Sequence, residues 1–531
     1  MKKIFLFLLL FSGLLSFAQT LSLEHTYAEA PIKRILLEVS GEKYYYIDYP
    51  GKSLHFFNAN HTPWKTIVLP VPTNTSNLFI DSVSEHKINP DDNIEIVFSY
   101  YYYGNGYQDA GMVVNENGTI LLNVPNANFI TLSEIDGLPN KLIATDVNNS
   151  VSPEEYLSAV YSIDGFGMEN FYPNGEIHRV FLENFGEKYY IFDKVNGLLK
   201  LYNSNHLFWK SIALPKPAEA LYREINFISD HQLNNDNAIE VGYSYYWVSI
   251  NSLVYEAKIV TDNNVTLLTV ANGTNLNVSL IDGAPNKLMA TIHNGNTQYG
   301  ADTKVFQIPS LVAENTYTGK TVARIKLDVS GEKYYTVNIN DGVARIYNAN
   351  HGLWKSIGLP NPDGLLFYSI THISENKVND DDFVELAYSC GNLDISESIV
   401  INENANILTT VYSGESMALS ELPGVENKFI AHLINPGNYG AVYAMNTLNV
   451  ANFKRNSISA YPNPASDFLT IQSETSIVQA NLFDCRGILV LQNSIPGMTG
   501  IDVRHLDNGI YFLQLTDINH NQSALKIIVL H

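Results

Sequence analysis

Gly41-Glu42-Lys43-Tyr44-Tyr45 returns as Gly186-Glu187-Lys188-Tyr189-Tyr190 and again as Gly331-Glu332-Lys333-Tyr334-Tyr335, 145 residues apart both times. Arg34, Arg179 and Arg324 keep this period, as do His61, His206 and His351, and Trp64, Trp209 and Trp354. A fixed period marks duplicated structure and decides the architecture before any single element does. The copies run over about 24–168, 169–313 and 314–451, the third shortened near its end.

Within a copy the chain reads as one short strand after another: RILLEV at 34–39, KYYYIDY at 43–49, IEIVFSYYYY at 94–103. These runs are rich in β-branched and aromatic residues and are bounded by turn formers. Asn117-Gly118 is a two-residue hairpin signal, because both central positions favour positive φ. No helical periodicity is found in the mature chain. About eleven strands per copy fit three four-stranded blades of roughly 48 residues, so three copies would make a β-propeller-like body of roughly nine blades. The alternative is three tandem β-sandwich-like domains. No Gly/Ser-rich or Pro-rich linker separates the copies, which favours one continuous body.

The 531 residues are 45% hydrophobic and 16% charged, too apolar for disorder. With 32 Lys+Arg against 54 Asp+Glu, the net charge is −22. Such a chain repels phosphate backbones, which argues against a nucleic-acid partner. Residues 1–18, MKKIFLFLLLFSGLLSFA, have the layout of a secretory signal peptide: two lysines, an apolar run from Ile4 to Leu15, and small residues before a cut after Ala18. That run is shorter than the roughly 20 residues a membrane-spanning helix needs, and no transmembrane segment is expected elsewhere. Losing Lys2 and Lys3 leaves 30 − 54 = −24. Cys390 and Cys485 lie far apart, so the reading is two thiols and not a disulfide scaffold.

The last segment begins SISAYPNPASDFLTIQSE at Ser457 and continues NLFDCRGILVLQ, IDVRHLDNGIYFLQLTD and ALKIIVLH. Alternation at Leu469 and Ile471, with turns about every ten residues, predicts a small antiparallel sandwich. The segment resembles the type A C-terminal sorting domain of the type IX (Por) secretion system of Bacteroidetes. The residues that carry the resemblance are Tyr461, Pro462, Asn463, Pro464, Ala465, Asp467, Leu469 and Ile471, then Gly487, Leu506, Gly509, Ile510, Tyr511 and Phe512, and the ending Lys526 to Leu530. The resemblance implies passage through the Sec machinery and recognition by the type IX machinery at the outer membrane. Removal of the domain would then leave a secreted or surface-attached protein. Residues 452–456 would be the linker before this domain, 457–531, an address label without an active site.

Two recurring patterns in the body are candidates for chemistry. The first is Asn-x-Asn-His-x-x-Trp-Lys, with Asn60, His61 and Trp64 in copy one, Asn205, His206 and Trp209 in copy two, and Asn350, His351 and Trp354 in copy three. A Trp face can stack on a sugar while Asn and His fix its hydroxyls, and three such sites would add avidity on a polymer. The same residues read equally as a turn whose Trp packs between sheets, and buried aromatics are common. The second pattern is an acidic turn that keeps Asn89, Asp91 and Glu95, Asn234, Asp236 and Glu240, and Asn379, Asp381 and Glu385. Oxygen donors two residues apart suit Ca²⁺, although the set is incomplete and a solvated Asx turn explains it as well. Apart from that calcium, no cofactor is expected.

The tyrosine runs 44–46 and 100–103 alternate along strands, so a half-buried sheet would expose some of their rings. Metalloprotease, nucleophile-elbow, phosphate-loop and dinucleotide motifs are all missing. A pair of carboxylates distant in sequence stays open. A site in triplicated blades is expected where one copy departs from the repeat, and Trp247 is one such departure. The expectation is a secreted or cell-surface, non-enzymatic β-repeat protein with an extracellular glycan, polymer or protein ligand. The alternative is a secreted polysaccharide- or protein-degrading enzyme.

Overall fold

The computed structural model describes residues 21–445 and 459–531, apart from 29, 105, 149–154, 235, 250–251, 296–300, 339–340, 362–363, 380, 393–395, 435–436, 438, 474–475, 485–487, 494–499 and 519–521. The expected signal peptide, the linker at 452–456, Cys485 and Gly487 therefore lie outside the described residues. The chain divides into two compact units, Met1–Met445 and Asn446–His531. Among the described residues there is no helix, and none long and apolar enough to cross a membrane.

Among the described residues the first unit consists of nine four-stranded antiparallel sheets, eight of which add their strands in chain order. Blades 1 to 8 span residues 33–68, 75–125, 129–172, 177–213, 221–271, 273–317, 323–358 and 366–412. Blade 9 takes three strands from residues 414–444, and its fourth is Ser22–Tyr27 from the start of the chain, with Ser22 opposite Ala444 and Tyr27 opposite Gly440. The strand fills the place that Met168–Tyr172 holds in blade 3 and Ala313–Tyr317 in blade 6. The third copy is short because its last strand comes from the other end of the chain. The copy boundaries read from sequence fall inside or beside these same strands, so each copy opens on the last strand of the preceding blade.

The chain thus forms a closed, nine-bladed all-β propeller, not separate sandwiches. The reason lies in the strands of each sheet. In the second strand of blade 2, Ile96 and Phe98 pack with Leu37, Leu54, Phe56 and Ile67 of blade 1. Their neighbour Val97 turns the other way, onto Ile130, Leu142 and Ala144 of blade 3. Successive side chains alternate between faces, and here both faces are apolar, so a blade is covered only by a neighbour on each side. A row of such sheets leaves its end faces bare, and closing the ring removes them. Tyr27, Ile32, Tyr44, Tyr46 and Val442 form the core between blades 9 and 1. Tyr44, Tyr45 and Tyr46 are consequently all buried, against the expectation of outward rings, which assumed a sheet covered on one face. Of the second run, Tyr100 is buried and Tyr103 exposed.

Polar fasteners reinforce the stacking. Gly41, Gly186 and Gly331 take φ of 73°, 70° and 73° in the turn between the first two strands of blades 1, 4 and 7, which is why the quoted motif starts with glycine. Beside that turn the Arg34 Nε donates to Glu42 at 2.7 Å, and its other nitrogens donate to the carbonyls of Ser420 (2.8 Å) and Glu426 (2.6 Å) of blade 9. Arg179 and Arg324 repeat this toward blades 3 and 6. On the other side, the Glu85 carboxylate of blade 2 accepts the backbone N–H groups of Val39 (2.6 Å) and Ser40 (2.9 Å) of blade 1. Asp230 and Glu375 do the same between blades 4 and 5 and blades 7 and 8. The Asn117-Gly118 hairpin forms, but with three turn residues and not two: Gly118 N–H donates to Asn115 O, and Asn115 N–H to Thr119 O. Gly118 supplies the left-handed position of this type I turn.

The second unit is a small sandwich. One sheet holds Ser459–Tyr461, Phe468–Gln472 and Gly500–Asp502, and the other Leu489–Asn493, Ile477–Asp484, Gly509–Asp517 and Gln522–Val529. Leu469 and Ile471 of the first meet Leu482, Leu513, Leu515 and Ile527 of the second. Asn463 ties the Pro-rich entry to the last strand: it accepts Ile528 N–H and donates to Lys526 O, both at 2.8 Å. The Tyr511 hydroxyl donates to Asp507 O at 2.8 Å, and the Asp467 carbonyl accepts Val503 N–H.

Candidate functional site

The Asn-x-Asn-His turn closes the hairpin between the third and fourth strands of blades 1, 4 and 7. Asn60, Asn205 and Asn350 accept the N–H two residues on through their side-chain oxygens. His61, His206 and His351 take left-handed φ of 64°, 63° and 66°, a conformation uncommon outside glycine. Each ring lies over a tyrosine of its own blade, with centroid distances of 4.8, 4.6 and 4.8 Å to Tyr44, Tyr189 and Tyr334. Each Nδ1 shares a hydrogen bond with a hydroxyl of the preceding blade, Tyr27, Tyr172 or Tyr317, at 2.7 to 2.8 Å. The opposite nitrogen faces Glu24, Glu169 or Glu314 at 3.4 to 3.8 Å. Burial holds all three imidazoles below their usual pKa against the pull of those glutamates for His61 and His351, and likewise for His206. Both ring nitrogens of every histidine thus look into protein.

The tryptophans are equally engaged. Trp64 lies between Lys43 and Lys65, whose ammonium groups sit 4.6 and 4.7 Å from its rings. Lys188 and Lys210 flank Trp209 at 4.9 and 4.4 Å, and Lys333 and Lys355 flank Trp354 at 4.7 and 4.4 Å. The outer lysines reach across to carboxylates of the next blade, Glu116, Asp262 and Glu403. Each indole thus has two ammonium groups within cation–π distance of its rings. Trp247, the departure from the repeat, packs against the core between blades 4 and 5 and lies 6.1 Å from Tyr245.

The acidic turns lead into the second strands of blades 2, 5 and 8. Asn89, Asn234 and Asn379 accept the N–H of Asp91, Asp236 and Asp381, which in turn accept the N–H two residues further on. Glu95, Glu240 and Glu385 follow as the first strand residues and are fully buried. Glu95 and Glu240 each take one hydrogen bond from the asparagine amide and leave the second oxygen without a partner, and both oxygens of Glu385 lack one. Burial, with the nearby Asp charge, pushes these carboxyls up to about 8, 7 and 9. Each turn therefore assembles two carboxylates and one amide. Among the described residues no group of three or more His, Cys, Asp or Glu side chains is placed to hold a metal ion.

A cleft of about 560 Å³ opens between blades 3 and 4, lined by Phe129, Thr131, Glu134, Thr145, Glu176 and His178 among others. His178 stacks on its cross-strand partner Tyr190, with centroids 5.0 Å apart. Its Nε2 is 3.7 Å from the Glu176 carboxylate. That contact holds Glu176 below the usual carboxyl range against partial burial. Burial, aided by Glu176, pushes Tyr190 up to about 12. Sequence reasoning passed over Glu176 and His178, although both depart from the repeat: copies one and three carry Pro31 and Lys33, and Thr321 and Ala323, at these places. Comparing the copies position by position would have exposed them.

Comparison with known proteins bears on both units. Residues 459–530 match the family model described as a secretion system C-terminal sorting domain. An endo-acting ulvan lyase of Formosa agariphila is 27% identical over 234 residues, covering 40% of this chain and 40% of the lyase. The chain thus spans less than half the length of that relative. Solved structures similar to the chain include the β-propeller domain of the Trilobed protease from Pyrococcus furiosus (9% identity, TM-score 0.29, 63% of this chain and 98% of that one). Another is the dihydro-heme d1 dehydrogenase NirN in complex with DHE (9% identity, TM-score 0.37, 86% and 81%). The C-terminal unit is a type IX sorting domain, and the protein carries the address of a secreted or outer-membrane-surface protein.

Proposed function

We propose that this protein works outside the cell, where its propeller engages an extracellular polysaccharide. The observation that carries this reading is the extent of the likeness to the ulvan lyase. It covers 40% of a 531-residue chain, roughly 212 residues, while the sorting domain spans 459–530, which is 72. At least 140 residues of it must lie outside the sorting domain. The relative's remaining 60% has no counterpart in the match. The turns at His61, His206 and His351 serve in this reading as fasteners of the ring.

Cleavage is the second reading, favoured by the activity named for that relative. Both are tested by running the mature full-length protein in native gels cast with ulvan or with neutral polysaccharides, and by following the same mixtures for new chain ends. Retardation without new ends is the expected result. New ends would establish the second reading, and migration unaffected by every polysaccharide would overturn both.

A further inference from the structure

Three junctions of the ring share one plan: blades 3 and 4, blades 6 and 7, and blades 9 and 1. At each, an arginine (Arg179, Arg324 or Arg34) donates to two carbonyls of the preceding blade. Strand pairing places the other positions in correspondence. Phe129, opposite Thr145, matches Asn275 opposite Thr291 and Ser416 opposite His432. His178, opposite Tyr190, matches Ala323 opposite Tyr335 and Lys33 opposite Tyr45. The residues that fasten the junction recur, as do Thr145 and Tyr190 of the cleft in at least one other copy, whereas Phe129, Glu176 and His178 do not. Folding requirements common to all three junctions therefore explain the arginine but not Phe129, Glu176 and His178.

We propose that the cleft between blades 3 and 4 is the carbohydrate-binding site, and that it takes a neutral, hydroxyl-rich sugar chain. The proposal rests on the polysaccharide reading above. The volume lies within the range of small-molecule sites, roughly 300–1,000 Å³. Phe129, 49% exposed, offers a flat apolar face for the C–H side of a sugar ring. Glu134 and Glu176 accept hydrogen bonds from hydroxyls, and Thr131, Thr145 and His178 can donate or accept. The lining contains no lysine. Its arginine, Arg179, already donates to Glu187, Ser133 O and Pro139 O. A sulfate or carboxylate on the ligand would meet Glu176 and Glu134, the latter already paired with Lys87 at 2.9 Å, and no lining arginine or lysine other than the committed Arg179, at an unfavourable cost in a partly desolvated site.

The test uses the mature full-length chain and borrows its control from the molecule. Phe129→Asn, Glu176→Thr and His178→Ala together install what the junction of blades 6 and 7 carries. Binding to laminarin, xyloglucan and galactomannan is measured by calorimetry, with ulvan and polygalacturonate as anionic probes. The expected result is binding to a neutral polymer by the wild type, with about a tenfold or greater loss in the triple variant and an unchanged melting temperature. Should the triple variant melt early, the reciprocal graft Asn275→Phe, Thr321→Glu and Ala323→His on the wild type must raise the number of sites from one to two. Wild-type binding that survives the triple substitution, or a graft that adds no site, overturns the cleft and leaves the polysaccharide reading standing. Preference for the anionic probes overturns the ligand class. No binding by the wild type overturns the polysaccharide reading itself.

Discussion

The junction of blades 3 and 4 and that of blades 9 and 1 are built from the same parts in opposite chain circumstances. Arg179 reaches Ser133 O and Pro139 O, 46 and 40 residues away, at 2.9 Å each. Arg34 makes the matching bonds to Ser420 O and Glu426 O, 386 and 392 residues away, at 2.8 and 2.6 Å. The Tyr27–His61 bond at the closure has the length of Tyr172–His206 within the chain, 2.7 against 2.8 Å. Ring closure is therefore a third use of an existing joint and needs no special latch. Loop-closure entropy rises only with the logarithm of length, so about three doublings between the two cases cost about 2 kcal/mol. The expected difference is kinetic access: Ser22–Tyr27 is linked covalently to the rest of blade 9 only through the whole ring, and can peel from it.

The largest expected effect comes from Arg34→Ala and Arg179→Ala. Both guanidinium groups are within 1% of complete burial, and removing either strands a carboxylate and two carbonyls. Each variant should lose about 3–5 kcal/mol in chemical denaturation. Only Arg34→Ala should also make the strand Ser22–Tyr27 exchange amide hydrogens and yield to protease early. Equal protection of that strand in the two variants would refute the peeling end.

Next comes pH. Glu240, Glu95 and Glu385 hold their protons up to about 7, 8 and 9, above the ordinary carboxyl value, so folding takes up protons. Their contribution to stability is complete below the ordinary carboxyl pKa and is lost as the pH rises through those values. The melting temperature should fall between pH 6 and pH 9, and Glu385→Gln should flatten that fall more than Glu240→Gln. A melting temperature that climbs over this range would contradict the assignment.

Smaller effects refine the joint itself. Trp64→Phe, Trp209→Phe and Trp354→Phe each lose part of a lysine–ring–lysine stack and some packing, about 1–2 kcal/mol apiece in urea midpoints. Unequal losses would show that one copy of this stack does more than hold blades together. Smallest is Tyr27→Phe against Tyr172→Phe. Each removes one hydrogen bond to a histidine, about 1 kcal/mol, and any excess at Tyr27 measures the closure directly.

Much of this architecture was legible in the residues. The 145-residue period, the short apolar strands and the missing linkers pointed to one β body of about nine blades. The resemblance at Tyr461 to Pro464 and Gly509 to Phe512 identified the sorting domain. Less legible was who bonds to whom. Tyr27, Tyr172 and Tyr317 keep the period as faithfully as their histidines, 34 residues on, and Glu85, Asp230 and Glu375 keep it too. A period, however, says that two positions are each constrained, not that they constrain each other. The acidic turns show a related limit. The Asx geometry of Asn89 and Asp91 is local and readable, whereas the burial of Glu95 depends on sheets that only the ring brings over it.

By itself, then, the sequence determined the strands, their triplication and the export address, because alternation, turn chemistry and repetition are local properties of a chain. The tertiary structure decided the phase of the repeat, the borrowing of Ser22–Tyr27 by blade 9 and the engagement of the Trp and His side chains. It also decided that Glu176 and His178 share a cleft with Phe129. All of these turn on which faces remain to be covered once every sheet has formed, and that is settled by neighbours up to several hundred residues away.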